Sequence, residues 1–242
     1  MNRTRQIFII LLFFFLPVWI HHGDNGSMSS AENFTVATFS TSIDGQDANV
    51  KRNIMIACRK LNGTVLSPNS VFSFNAVVGE GSARNGFVPG RVLYRDRVAM
   101  EPGGGLCQVS STLFNALLMA GCPIIERHRH SQPVSYVPMG LDATIKYGKK
   151  DLRMKNPYRY ALKIEISAGD PSIAVKISAE QKLPDRYEIY TEEEEQAVPL
   201  QEDYDRIRQG VSVYVYRKRY RGDKLLETML LYKDYYQPVY ER

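Results

Sequence analysis

Apolar and polar positions along the chain change their period several times, and each change predicts a different element. A short basic stretch, MNRTRQ, leads into an apolar run from Ile7 to Ile20 and then into the polar HHGDNGSMSSAEN. That order fits an export signal. The run is shorter than the roughly 20 residues that span a bilayer, and Pro17 interrupts it, which favours a secretory signal over a permanent anchor. Ser29-Ser30-Ala31 has the small-residue spacing of a cleavage site but lies far from Ile20, so a cleaved signal and a retained anchor both fit.

Beyond the leader, DANVKRNIMIACRKLNG sets Val50, Ile54, Ala57, Cys58 and Leu61 at helical spacing, with Asp47 as a cap and Asn62-Gly63 as a stop. VLSPNSVFSFNAVVGEGSARNGF reads as turns and brief strands, and a strand-rich stretch from Phe87 to Ala99 runs into EPGGG. The next segment, LCQVSSTLFNALLMAG, predicts a largely buried helix through Leu106, Val109, Leu113, Leu117 and Ala120, stopped at Gly121-Cys122-Pro123. Two alternating strands follow at Tyr160–Ile166 and Ser172–Ser178, joined by a turn at Gly169-Asp170-Pro171.

An acidic stretch, Thr191–Asp203, reads as a linker ahead of a tyrosine-rich tail whose two strand-like runs flank Arg221-Gly222-Asp223. The tail tyrosines are expected to pack a small sheet rather than to stack on sugars. The pattern as a whole predicts an α+β protein. Its core is a mixed or antiparallel sheet packed with two main helices, and a small β-hairpin is appended at the C-terminus. The expected divisions are a signal or anchor at 1–31, a body at 32–190, an acidic linker at 191–203 and a hairpin tail at 204–242.

With 44% hydrophobic residues among 242, the chain has the apolar content of one ordinary folded domain plus an appendage. The net charge of +5 suits an anionic wall or membrane surface. The basic run Arg217–Arg221 is isolated within a strand-like segment and accompanies no nucleic-acid motif, so it reads as a solvated strand face and no nucleic-acid partner is expected. Cys58, Cys107 and Cys122 make an odd number for an exported chain. Cys58 and Cys122 can pair as a disulfide, leaving Cys107 free, or can each be a small buried hydrophobe.

Cys107 carries the candidate chemistry. It falls in the first turn of the second helix, where unpaired amides and the helix dipole favour the thiolate. The preceding Gly103, Gly104 and Gly105 allow close approach of a substrate backbone. The amides around Leu106, Cys107 and Gln108 are placed to hold an oxyanion. Thiol acyl transfer also needs an imidazole, and of the four histidines only His128 and His130 lie outside the leader. Spaced by two in an extended segment, they share a face. Asp142 or the Ser131 hydroxyl is the candidate to orient a ring nitrogen. Three donors, Cys107, His128 and His130, match a metal by residue type alone. No ligand spacing supports that reading, so no metal and no cofactor is expected.

FSFNAVVGEGSARNGF, GGGLCQVSSTLFNALLMAG, ERHRHSQPVSYVPMGLDATIKYG and DLRMKNP, in that order, resemble the VanW-like domain of Gram-positive envelope proteins over roughly Phe39 to Ile166. The resemblance implies an extracytoplasmic role in peptidoglycan, because the family takes its name from an accessory gene of glycopeptide-resistance clusters. Some VanW-type domains are understood to be cysteine L,D-transpeptidases. Carried onto this chain, that implies Cys107 as nucleophile toward a peptidoglycan stem peptide and His128 or His130 as acid and base. Gly103, Gly104 and Gly105 would shape the pocket, and Ser110 would at most support it through a hydrogen bond. The alternative the resemblance allows is a non-catalytic accessory module that binds peptidoglycan or a resistance enzyme. Either reading places the protein at the cell envelope, with a membrane contact if the N-terminal segment is retained.

Overall fold

The computed structural model describes residues 33–93, 98–199 and 205–241, together with the backbone of residues 6–8. In chain order the first half contains β1 (Gln6–Phe8), β2 (Phe34–Ser42), α1 (Ala48–Leu61), β3 (Val65–Leu66), β4 (Val71–Ser73), α2 (Phe74–Val78), β5 (Pro89–Leu93), β6 (Val98–Pro102) and α3 (Leu106–Met119). The second half contains β7 (Ile124–Glu126), β8 (Arg153–Lys155), β9 (Leu162–Gly169), β10 (Ser172–Ala179), β11 (Arg186–Gln196), β12 (Arg206–Arg208), β13 (Gly210–Arg221), β14 (Lys224–Tyr236) and β15 (Val239–Glu241). The export segment beyond Phe8 and the cleavage reading at Ser29-Ser30-Ala31 lie outside the described residues. Among the described residues no helix is long and apolar enough to cross a membrane.

The fold is α+β, as the sequence pattern predicts, and its body is built on one antiparallel sheet of order β2-β10-β9-β3. Alternation sets which way its side chains face. Leu162, Ile164 and Ile166 of β9 and Ile173, Val175 and Ile177 of β10 are all buried, as residues two apart on one strand face must be. The two long helices cover that face: α1 packs on β9, and α3 packs on β2 and β10. Asp47 accepts a hydrogen bond from the Val50 amide at 2.9 Å and fixes the start of α1. Ile54, Ala57 and Leu61 then point inward one helical turn apart.

Helix α3 is buried nearly all round, and its polar side chains are therefore spoken for. The Gln108 side chain donates to the Ser42 carbonyl at 2.6 Å, and Thr112 and Thr41 share a hydrogen bond of 2.8 Å, tying the helix to β2. Cys58 and Cys122 are buried free thiols rather than a disulfide, and burial pushes each up to about 12.

The tail differs from its expected form in two respects. The acidic stretch is not a linker over its first half. Thr191–Gln196 completes β11, paired from Thr191↔Val215 to Gln196↔Gly210 in a sheet of order β1-β11-β13-β14. Ile189 and Thr191 are buried, Glu192, Glu193 and Glu194 are partly covered, Glu195 is exposed, and Tyr214 donates to Glu194 at 3.1 Å. The β13–β14 hairpin forms as expected, but it is docked on the body rather than appended to it. Gly140 of the body donates its amide to the Tyr236 hydroxyl at 3.0 Å and accepts from Tyr232 at 2.7 Å. The tyrosines do pack: Tyr190 and Tyr216 stack at 5.0 Å, while Lys218 lies over Tyr190 and Lys233 over Tyr214.

Candidate active site

Helix α3 begins at Gly105, whose φ of 101° suits a residue without a Cβ. A Cβ on Gly104 would stand 2.6 Å from the Gly90 carbonyl carbon, and one on Gly105 would stand 2.9 Å from Ile54. Gly104 and Gly105 are thus required by the chain's own packing against β5 and α1. On the side where a Cβ would point, protein rather than open space lies against Gly104 and Gly105. Asn53 of α1 locks the turn, donating to Gly104 at 3.1 Å and to Val88 at 2.9 Å. Of the three amides expected to hold an oxyanion, Leu106 donates to Gly103 at 3.2 Å and Gln108 donates to Gly105 at 3.0 Å. Among the described residues, that leaves the Cys107 amide as the unused donor of the three. The Gln108 side chain is likewise occupied by β2 and Gln46.

Cys107 is half-buried at the second helical position. Its Sγ lies 3.4 Å from Thr144 Oγ1 and 3.7 Å from the Ile145 carbonyl oxygen. The segment opposite, from Asp142 to Ile145, belongs to no sheet and is held by α3 itself. Ser110 donates to the Ala143 carbonyl, Ser111 accepts from the Ala143 amide at 2.9 Å, and Asn115 donates to Leu141 at 2.8 Å. Ser110, expected at most to support the site, therefore sets with Ser111 the distance between the helix carrying Cys107 and the loop carrying Asp142.

Asp142 captures His130 twice. Its Oδ2 accepts from the His130 backbone amide at 2.6 Å and lies 2.6 Å from ring Nδ1. An ionised carboxylate only accepts, so Nδ1 carries the hydrogen and Nε2 is the ring atom left for the thiol. Burial disfavours the imidazolium, but the bond to Asp142 and the interaction with Cys107 outweigh it and lift His130 to about 9. Burial opposes the Cys107 thiolate in the same way. The hydrogen bond and positive charge of His130, with help from Thr144, bring the thiol below its ordinary value. Asp142 is buried and still held below the usual carboxylate range, chiefly by His130 and the Arg127 guanidinium. The ring of Tyr136 meets His130 edge-on at 6.4 Å.

His128 goes elsewhere. Its Nε2 lies 2.9 Å from Glu126, and it is more exposed than His130. The expectation that both histidines share a face is corrected: β7 ends at Glu126, and the bonds to Asp142 turn the chain at His130. The three donors of the metal reading consequently do not converge. Ser131 is exposed, and the ring is oriented by Asp142 instead. Behind Asp142 stand further polar side chains. Arg127 donates to Asp142 Oδ1 at 2.9 Å and to Asp234 at 2.6 Å, and Tyr236 donates to Asp142 Oδ1 at 3.0 Å.

A cysteine at a helix start, an imidazole and a buried carboxylate thus stand in series on an α+β frame, an arrangement of the kind that can favour a thiolate. Residues 49–178 match the family described as VanW like protein, and the chain belongs to that family. Over 134 residues it is 35% identical to the uncharacterized protein YoaR of Bacillus subtilis, covering 55% of this chain and 44% of that one. Over 142 residues it is 29% identical to the vancomycin B-type resistance protein VanW of Enterococcus faecalis, covering 57% of this chain and 52% of that one. The chain thus spans about half the length of these relatives. No solved structure matches it. The matched stretch contains Cys107, His130 and Asp142 but ends before Tyr232, Asp234 and Tyr236.

Proposed function

We propose that the protein is an envelope cysteine acyl-transferase of the L,D-transpeptidase type, acting outside the cytoplasm on peptidoglycan stem peptides. The observation that carries this reading is the series Cys107, His130 and Asp142, in which one ring nitrogen is held by a buried carboxylate and the other is left for a half-buried thiol. In the proposed reaction the thiolate of Cys107 attacks the carbonyl carbon at the L-centre of a donor stem, with the Cys107 amide as the oxyanion donor. The C–N bond to the terminal D-amino acid breaks, and the imidazolium of His130 gives its proton to the departing amine. An amine of a second stem then attacks the thioester and passes a proton back to His130. The thiolate leaves as the new amide forms, and water in place of the amine gives a carboxypeptidase outcome. The wall as the place of action is supported by the family, and by a relative named for vancomycin resistance.

The test is to incubate the full chain and its Cys107→Ala and Cys107→Ser variants with tetrapeptide-stem muropeptides, following dimers and released D-alanine by mass spectrometry. The wild type gives product and a thioester adduct at Cys107, and both variants give none. Binding of the same muropeptides without turnover, by folded and reduced wild type, would replace this reading with that of an accessory binding module.

A further inference from the structure

Residues 232, 234 and 236 of β14 share one strand face, and that face lies against the back of the thiol site. Tyr232 and Tyr236 hold Gly140, Tyr236 also reaches Asp142, and Asp234 holds Arg127. Arg127 is buried, with its side chain 6% exposed, and its guanidinium bridges two carboxylates, Asp142 at 2.9 Å and Asp234 at 2.6 Å. A guanidinium keeps its charge at any accessible pH. One cation between two anions leaves one negative charge over, on the side that faces His130.

We propose that Asp234 is a positioning residue of the thiol site, acting by neutralising Arg127 so that the charge of Asp142 remains available to His130. This rests on the nucleophile reading of Cys107. If Asp234 is made neutral, Arg127 turns its full charge on Asp142, the carboxylate no longer sustains an imidazolium, and the thiol keeps its proton. The other charged or titratable groups facing Asp234 do not replace it. Arg129, whose guanidinium lies 5.2 Å from the Tyr236 ring centre, adds a second cation. Tyr232 and Tyr236 are driven further toward the neutral phenol by burial. The family match ends at residue 178, so a residue of the C-terminal sheet would tune a thiol that lies within the matched stretch.

Alkylation of the intact protein by iodoacetamide against pH, quantified at the Cys107 peptide by mass spectrometry, reads the thiolate without any substrate. The wild type is expected to titrate below the ordinary thiol range. Asp234→Asn raises that midpoint by about one pH unit, a tenfold loss of thiolate on the acid side. Asp234→Glu, which restores the charge, returns most of the shift, and the smaller Asp234→Ser serves if Asp234→Asn does not fold. A folded neutral variant with the wild-type midpoint overturns the role of Asp234, as does a downward shift. A wild type that titrates like a free cysteine overturns the nucleophile reading instead, and failure to crosslink muropeptides leaves the alkylation result standing.

Discussion

His128 and His130 are two residues apart and chemically identical, yet their surroundings give them different work. His130 is lifted to about 9 because its ring faces a buried carboxylate on one side and a thiol on the other. The reactive ion pair therefore exists over a window. It forms as pH rises through the depressed thiol value, and it is lost as pH rises through about 9, where the imidazolium gives up the proton that the departing amine needs. Acylation of Cys107 is expected to follow that bell, measured as thioester formation against pH. His130→Ala should lower the rate about 10²–10⁴-fold and flatten the alkaline limb. His128→Ala, which removes a partner of Glu126, should leave the profile in place. A profile governed by His128 would reverse the assignment.

At the scale of elements, the glycine run has a packing role that its local sequence does not reveal. The three glycines are legible as unusual backbone before a helix, and the helix does begin where they end. What fills the space above them depends on β5 and α1, which come together only in the folded chain. Gly104→Ala would drive a methyl group into the Gly90 and Arg91 backbone and is expected to cost about 1–3 kcal/mol, read as a lower urea midpoint with an unchanged slope. The helices and the β9–β10 hairpin were legible because their apolar periods of 3.6 and 2 are local. The acidic half of β11 was not legible, since charge density masks a strand that only pairing with β13 makes useful. The same limit applies to the site. Cys107 stands out by its glycines, and His130 by the scarcity of histidine. Thr144 carries no local mark, because its role is set by a partner 37 residues away in sequence.

The whole molecule is organised so that the C-terminal sheet closes the back of the site, and Gly140 is the point where the two meet. Its φ of 85° favours glycine, and an added Cβ would stand 2.8 Å from Val215 and 2.9 Å from Val213 of β13. Around it gather the Tyr232 and Tyr236 hydroxyls and one nitrogen of Arg127. Because Val213, Val215 and Tyr236 bury themselves against the body, sheet and body should unfold together, in one transition seen alike by far-UV circular dichroism and by tyrosine fluorescence. Gly140→Ala must push β13 away or strain the turn, at an expected cost of about 1–3 kcal/mol. Moving β13 carries β14 with it, so Tyr236 and Asp234 withdraw from Asp142 and Arg127. The thiol should then alkylate more slowly at neutral pH even where the protein remains folded. A Gly140→Ala protein with wild-type alkylation but two separate unfolding transitions would show the C-terminal sheet to be an independent unit, and the thiol site to be complete without it.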